Sequence, residues 1–147
     1  MLNILAIIAA ATSLGSGFQE PADWRQVDDT SDFYSALDMN SISGPQNART
    51  ARTVSISTGE SDFPGYMVLD VVFDCAALTI RADRATFFTL DGSLITEVEG
   101  PPETAPVSEE EGTLVAANAV CDGQMPSGPS FGTAQAYAQF IRASAGS

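Results

Sequence analysis

A chain of 147 residues with 44% apolar side chains is long enough for one domain with its own core, which excludes wholesale disorder. Its 19 acidic and 6 basic side chains leave a net charge of −13, which repels phosphate backbones and anionic lipid surfaces. Nucleic acid and membrane surfaces are therefore not expected partners, whereas a basic protein is compatible with the charge.

The chain opens "MLNILAIIAAATSLGSGFQE". The apolar run 2–11 is shorter than the roughly 20 residues a membrane span needs. It fits the apolar region of a secretory signal, with Ala9, Ala11, Ser13 and Gly15 as small residues for cleavage. A signal over 1–15 is expected, and with it export to the periplasm or beyond. No cysteine follows the run, so no lipid anchor is expected after cleavage.

A first short strand is expected at Trp24 and Val27, and a second over 33–37. The turn formers Asp38, Asn40, Ser41, Ser43 and Gly44 predict a break after it. Val54 and Ile56 alternate with Ser55 and Ser57, which marks a half-buried strand over 48–58. "GESDFPG" is a turn, and "YMVLDVVFDC" after it is the most hydrophobic strand. Successive strand side chains alternate faces, so Met67, Leu69, Val71, Phe73 and Cys75 share one wholly apolar face that must meet a core. Asp91-Gly92 between two β-rich runs predicts a hairpin joining strands over 78–90 and 93–99, with positive φ at both turn residues.

"GPPETAPV" ends the sheet. Ser108 and Glu111 match a capping box, which predicts a helix over 109–121 ending at Gly123. Leu114, Ala117 and Cys121 fall on one face of that helix, turned to the core. The acidic run 109–111 sits where the helix dipole favours it. "QMPSGPS" reads as a flexible linker. A final amphipathic helix follows, with Phe131, Ala134, Tyr137, Ala138 and Ile141 on one side, to dock on the domain or on a partner.

The only two cysteines, Cys75 and Cys121, thus lie on inward faces of a strand and a helix. In an exported protein such a pair reads as a disulfide. The rival readings lack their partners. A nucleophilic cysteine wants a base, and the chain has no histidine and no lysine. A zinc site wants about four ligands, mostly Cys and His. No C-x-x-C pair is present.

Carboxylates are the remaining route to catalysis. Asp70 and Asp74 share a strand face but stand about 13 Å apart, beyond the glycosidase range of about 5–9.5 Å. Glu97 and Glu99, about 7 Å apart, fall inside that range, yet they sit at an open strand end and read as solvated edge charges. "DMNSISG" from Asp38 resembles an EF loop only loosely, with Ile42 at a ligand position and Arg49 in place of the closing glutamate. No catalytic residue, metal or cofactor is expected.

"ADWRQV", "DFYSALDMNSI", "YMVLDVVFDC", "TFFTLDGSLI" and "PVSEEEGTLVAANAVC" follow one another in an order that resembles the surface-adhesin protein E family of small bacterial envelope proteins. The resemblance runs from Trp24 to Cys121. It implies a sheet of about six antiparallel strands with a C-terminal helix held to its concave side by the Cys75–Cys121 disulfide. It also implies adhesin-like binding of host matrix proteins, although no ligand-binding residue carries over.

The expectation is an α+β fold: a roughly six-stranded antiparallel sheet, a disulfide-tethered helix on one face and a short extra C-terminal helix. The domain would span 16–123, followed by a linker and accessory helix over 124–147. The expected function is a non-enzymatic, exported, protein-binding envelope protein of a Gram-negative cell. The alternatives are a soluble periplasmic inhibitor or accessory subunit, and a carboxylate hydrolase.

Overall fold

A computed structural model describes residues 22–29, 33–59, 63–108 and 113–145. The signal expected over 1–15 lies outside the described residues. So does Glu111 of the expected capping box.

Six strands follow one another as an antiparallel meander: β1 Trp24–Asp29, β2 Phe33–Ser43, β3 Arg49–Ser57, β4 Tyr66–Asp74, β5 Thr79–Phe88 and β6 Leu94–Glu99. Two short strands, β7 Ala105–Pro106 and β8 Ser130–Phe131, bring the sheet to eight. Along its main path the order is β6-β5-β4-β3-β2-β1-β8, and β7 pairs with the end of β5 beyond β6. Helix α1 is Leu114–Asp122 and helix α2 is Ala134–Ala145. The antiparallel sheet, the strand-to-helix disulfide and the two C-terminal helices agree with the expected fold class. The two-residue strands carry no periodicity that a sequence could show.

The sheet buries both faces. On one, Val27, Leu37, Ala51, Val71 and Phe73 pack beneath Ala116, Ala117, Ala119 and Val120 of α1. On the other, Trp24, Ala36, Val54, Ile56 and Tyr66 pack beneath Tyr137, Ala138 and Ile141 of α2. Strict alternation along β2, β3 and β4 sends neighbours such as Ala36 and Leu37 to opposite cores. The accessory helix therefore docks on its own domain. The chain around it joins the same sheet, with Trp24 and Arg25 of β1 pairing Phe131 and Ser130 of β8.

The expected break after 33–37 is instead a continuation of β2 to Ser43. Its polar side chains build an irregular stretch within the strand rather than a turn. Asp38 Oδ1 accepts from the backbone N–H groups of Asp23 and Asn40 at 2.9 and 3.0 Å. Ser41 Oγ donates to the Asp38 carbonyl at 2.6 Å and accepts from the Arg52 N–H at 2.8 Å. The chain turns only after Gly44, whose φ is 94°.

At the β5–β6 hairpin only Gly92 takes a positive φ, 93°; Asp91 does not. The loop is longer than a two-residue turn, with the Thr89 N–H donating to the Ser93 carbonyl at 2.9 Å and the Gly92 N–H to the Thr89 carbonyl at 2.9 Å. The Asp91 carboxylate accepts from the Ser93 N–H at 3.0 Å and from the Thr89 hydroxyl. These bonds hold its pKa below the ordinary aspartate value.

Helix α1 spans Leu114–Asp122, with Thr113 at the cap position making no side-chain capping bond; the expected start over 109–112 lies outside the described residues. The Thr113 hydroxyl instead accepts from the Ser108 N–H at 2.8 Å and donates to the Ser108 carbonyl at 3.1 Å. The end at Gly123 is as expected, in the left-handed conformation, with its N–H on the Ala119 carbonyl at 3.1 Å. The buried stripe runs through Ala116, Ala117, Ala119 and Val120, so Leu114 is turned outward and the expected Leu114–Ala117–Cys121 face is rotated. A nine-residue helix with small buried side chains has little stability of its own. The Cys75–Cys121 disulfide, with Cα atoms 5.6 Å apart, fixes its C-terminal end to the end of β4. Arg49 adds a second tie, its Nε donating to the Val120 carbonyl at 2.9 Å and its Nη1 to the Gly44 carbonyl at 2.7 Å.

The disulfide spans a sequence separation of 46, for which loop entropy amounts to about 4 kcal/mol. Reduction, or Cys75→Ala, is expected to lower Tm by about 15 °C in a thermal melt, and an unchanged Tm would refute this role. In the second core, Tyr137 is fully buried and its hydroxyl donates to Gln26 Oε1 at 2.9 Å. Tyr137→Phe is expected to cost about 1 kcal/mol in urea unfolding and Tyr137→Ala about 4 kcal/mol. Equal losses would show that the ring packing is not the dominant contribution.

Candidate functional site

Beyond the reach of α2, the second sheet face stays open. The register places Arg52 of β3 opposite Asp70 of β4, and Asp70 opposite Arg84 of β5. The three side chains stand in a row across three adjacent strands. Arg52 Nε lies 3.5 Å from Asp70 Oδ1, and Arg84 Nε lies 3.9 Å from Asp70 Oδ2 and 3.3 Å from Glu97 Oε2 on β6. The row forms one wall of a groove of about 450 Å³, within the usual range of ligand pockets. Val68, Phe88 and the edges of Trp24 and Tyr66 supply its apolar lining, and Thr133, Ala134 and Gln135 at the start of α2 form the far wall. Tyr66 and Phe88 stack with centroids 5.1 Å apart. Burial raises the pKa of the Tyr66 hydroxyl, and the Asp91 charge adds to it.

The groove adjoins a free sheet edge. No strand pairs with the outer side of β6 among the described residues, and all six of its residues are exposed. Leu94, Ile95 and Val98 are 62%, 49% and 47% exposed. Such an edge presents unpaired backbone donors and acceptors beside apolar side chains, a template for another strand.

The carboxylates weighed in the sequence fall into separate roles. Asp70 belongs to the arginine row, whereas Asp74 accepts from the N–H groups of Ala76 and Ala77, both at 3.0 Å, and so shapes the β4–β5 turn. Glu97 is tied to Arg84, and Glu99 stands opposite the Arg84 backbone in the β5–β6 ladder. The EF-like acidic residue Asp38 lies within β2 and binds backbone N–H groups. No group of three or more metal-ligating side chains occurs among the described residues. Cys75 and Cys121 form the disulfide, away from the groove, and no free cysteine is found among the described residues.

The arginine row was not foreseen from the sequence. Its signal was the cross-strand register: Arg52, Asp70 and Arg84 belong to three strands that a register for the "SIS", "MVLDVV" and "RATFF" runs would have aligned.

Asp28 lies at a smaller apolar cavity of about 150 Å³ between α1 and the sheet, with Phe33, Leu69 and Phe73. Burial raises its pKa above the ordinary value of 3.8, with the Asp29 charge adding to the effect. A raised carboxyl pKa gives stability that is present below the ordinary value and lost as pH rises through the folded one. Asp28→Asn is thus expected to raise Tm at neutral pH, with the gain vanishing below about pH 4. Melts at both pH values check this; a gain of the same size at both would assign it to something other than the charge.

Comparison with protein-family models, with curated proteins and with solved structures found no match.

Proposed function

We propose that this chain is an exported, non-enzymatic binding protein of a Gram-negative envelope that takes a protein partner by strand addition at β6. The observation that carries the reading is the exposure of Leu94, Ile95 and Val98 on an edge with no neighbouring strand among the described residues. An extended segment pairing there gains main-chain hydrogen bonds together with apolar contact. Glu97 and Glu99 on the same strand disfavour a second copy of this acidic chain and favour a segment with basic side chains. The surface-adhesin E resemblance and the signal-like start support the envelope setting. So does the disulfide, because such bonds persist in oxidising compartments. No helix among the described residues is long and apolar enough to cross a membrane. The net charge of −13 also suits an inhibitor or accessory subunit of a basic periplasmic partner, which would use the same edge.

Two measurements test the proposal. Expressed in a Gram-negative host, the exported protein is expected to lack about 15 N-terminal residues and to carry no free thiol by mass spectrometry. An intact N-terminus with two free thiols would refute export. Immobilised wild-type chain is expected to capture partners from envelope extracts that the Leu94→Lys/Val98→Lys double variant does not. Identical capture by both would remove β6 from the binding surface.

A further inference from the structure

Four of the six arginines are taken up by short hydrogen bonds. Arg25 Nε donates to Asp23 Oδ1 at 3.0 Å, and Arg81 Nε to Asp83 Oδ1 at 2.9 Å. Arg49 and Arg142 donate to backbone carbonyls, at 2.7–2.9 Å and 2.7–2.8 Å. Arg52 and Arg84 differ. Their side-chain contacts among the described residues are the ion pairs of 3.3–3.9 Å, and the side chains of both are 54% exposed. These two stand in one row on one groove, with Asp70 between them.

The charges of that row decide what it can take. Arg52 and Arg84 with Asp70 and Glu97 sum to zero (two positive, two negative). An anionic ligand reaching the guanidiniums also meets Asp70 and Glu97, on a chain of net charge −13. A cation reaching Asp70 meets a guanidinium on either side. A ligand with hydroxyl groups meets no such conflict. Each hydroxyl both donates and accepts, so it can give a hydrogen bond to Asp70 and receive one from either arginine. Bonds to ionised partners are the stronger kind. Thr86, between the arginine row and Phe88, adds a neutral hydroxyl. Below the row, Val68 and Phe88 offer an apolar floor to the C–H face of a ring.

We propose that the groove between the Arg52–Asp70–Arg84 row and the first turn of α2 binds an uncharged saccharide, its hydroxyls shared among the row and its ring face laid on Val68 and Phe88. The site is distinct from the outer edge of β6. Leu94→Lys/Val98→Lys tests the edge, whereas Asp70 and Arg52 lie two and three strands inward, so either reading can fail without the other.

The chain carries its own probe. Trp24 is its single tryptophan, it is 4% exposed, and it lines the groove. Trp24 emission from the full chain, disulfide formed, is titrated with glucose, galactose, N-acetylglucosamine, maltose and cellobiose, and with glucuronic acid as an anionic counterpart. At least one uncharged sugar is expected to give a saturable change whose dissociation constant shifts less than about twofold between about 0.05 and 0.5 M salt. Asp70→Asn and Arg52→Met are each expected to weaken it about tenfold or more, while Arg81→Met, outside the groove, leaves it unchanged. Unaltered thermal melts show that the exposed substitutions leave the fold intact. Three results overturn the proposal: no response to any uncharged sugar up to about 0.1 M, a response indifferent to both Asp70→Asn and Arg52→Met, or binding confined to glucuronic acid and lost with salt.

Discussion

A single sheet that is apolar on both faces imposes the rest of this architecture. Side chains alternate along a strand, so β2, β3 and β4 cannot direct all their large residues one way. Leu37, Ala51, Val71 and Phe73 look one way, and Ala36, Val54, Ile56 and Tyr66 look the other. Each set needs a cover to exclude water, and each receives one helix. The two covers are held differently because they bury different amounts. Helix α2 inserts Tyr137 and Ile141, large side chains that anchor by packing. Helix α1 offers three alanines and a valine, and a covalent bond supplements what that small surface supplies.

The arginines divide along the same lines. Arg49 ties the C-terminal turn of α1 to the β2–β3 connection, where a cation also complements the partial negative end of the helix. Arg142 near the end of α2 holds the carbonyls of Phe63 and Gly65, ahead of β4. Each cover is thus latched to the sheet by one guanidinium on backbone oxygen. The sheet-face pair, Arg52 and Arg84, makes ion pairs across neighbouring strands instead of holding a helix. It stands where no helix reaches, among side chains that keep both donors and acceptors in reach of solvent.

Much of the fold was legible because it rests on local pattern. The alternation in β3 and β4, the glycine at the β5–β6 hairpin and the glycine after α1 each report a local backbone requirement. The pairing of Cys75 with Cys121 followed from two inward faces. What was hidden depends on partners far away in sequence. The polar run from Asp38 to Ser43 has turn chemistry, but Asp23 and Arg52 capture it within a strand. Leu114 fits an apolar helical stripe, yet α1 packs Ala116, Ala117, Ala119 and Val120 on the sheet and leaves Leu114 exposed. The second core arises because the C-terminal segment returns to β1, a contact between the two ends of the described chain. The candidate groove was hidden for the same reason, since its row exists only once three strands are in register.

The place of β1 in the sheet has a consequence for how the molecule is completed. Strands β1 to β6 pair with their neighbours in sequence, so each hairpin can close as soon as its second strand has been synthesised. The exception is the far side of β1, which waits for β8, and the face holding Trp24 waits for α2. Synthesis runs from the N-terminus, so that face stays open until β8 and the residues of α2 through Ile141 have emerged. Of the described strands, β1 is made before the others yet is among the last to be shielded from water, and a chain cut ahead of β8 would display Trp24 to whatever meets it first.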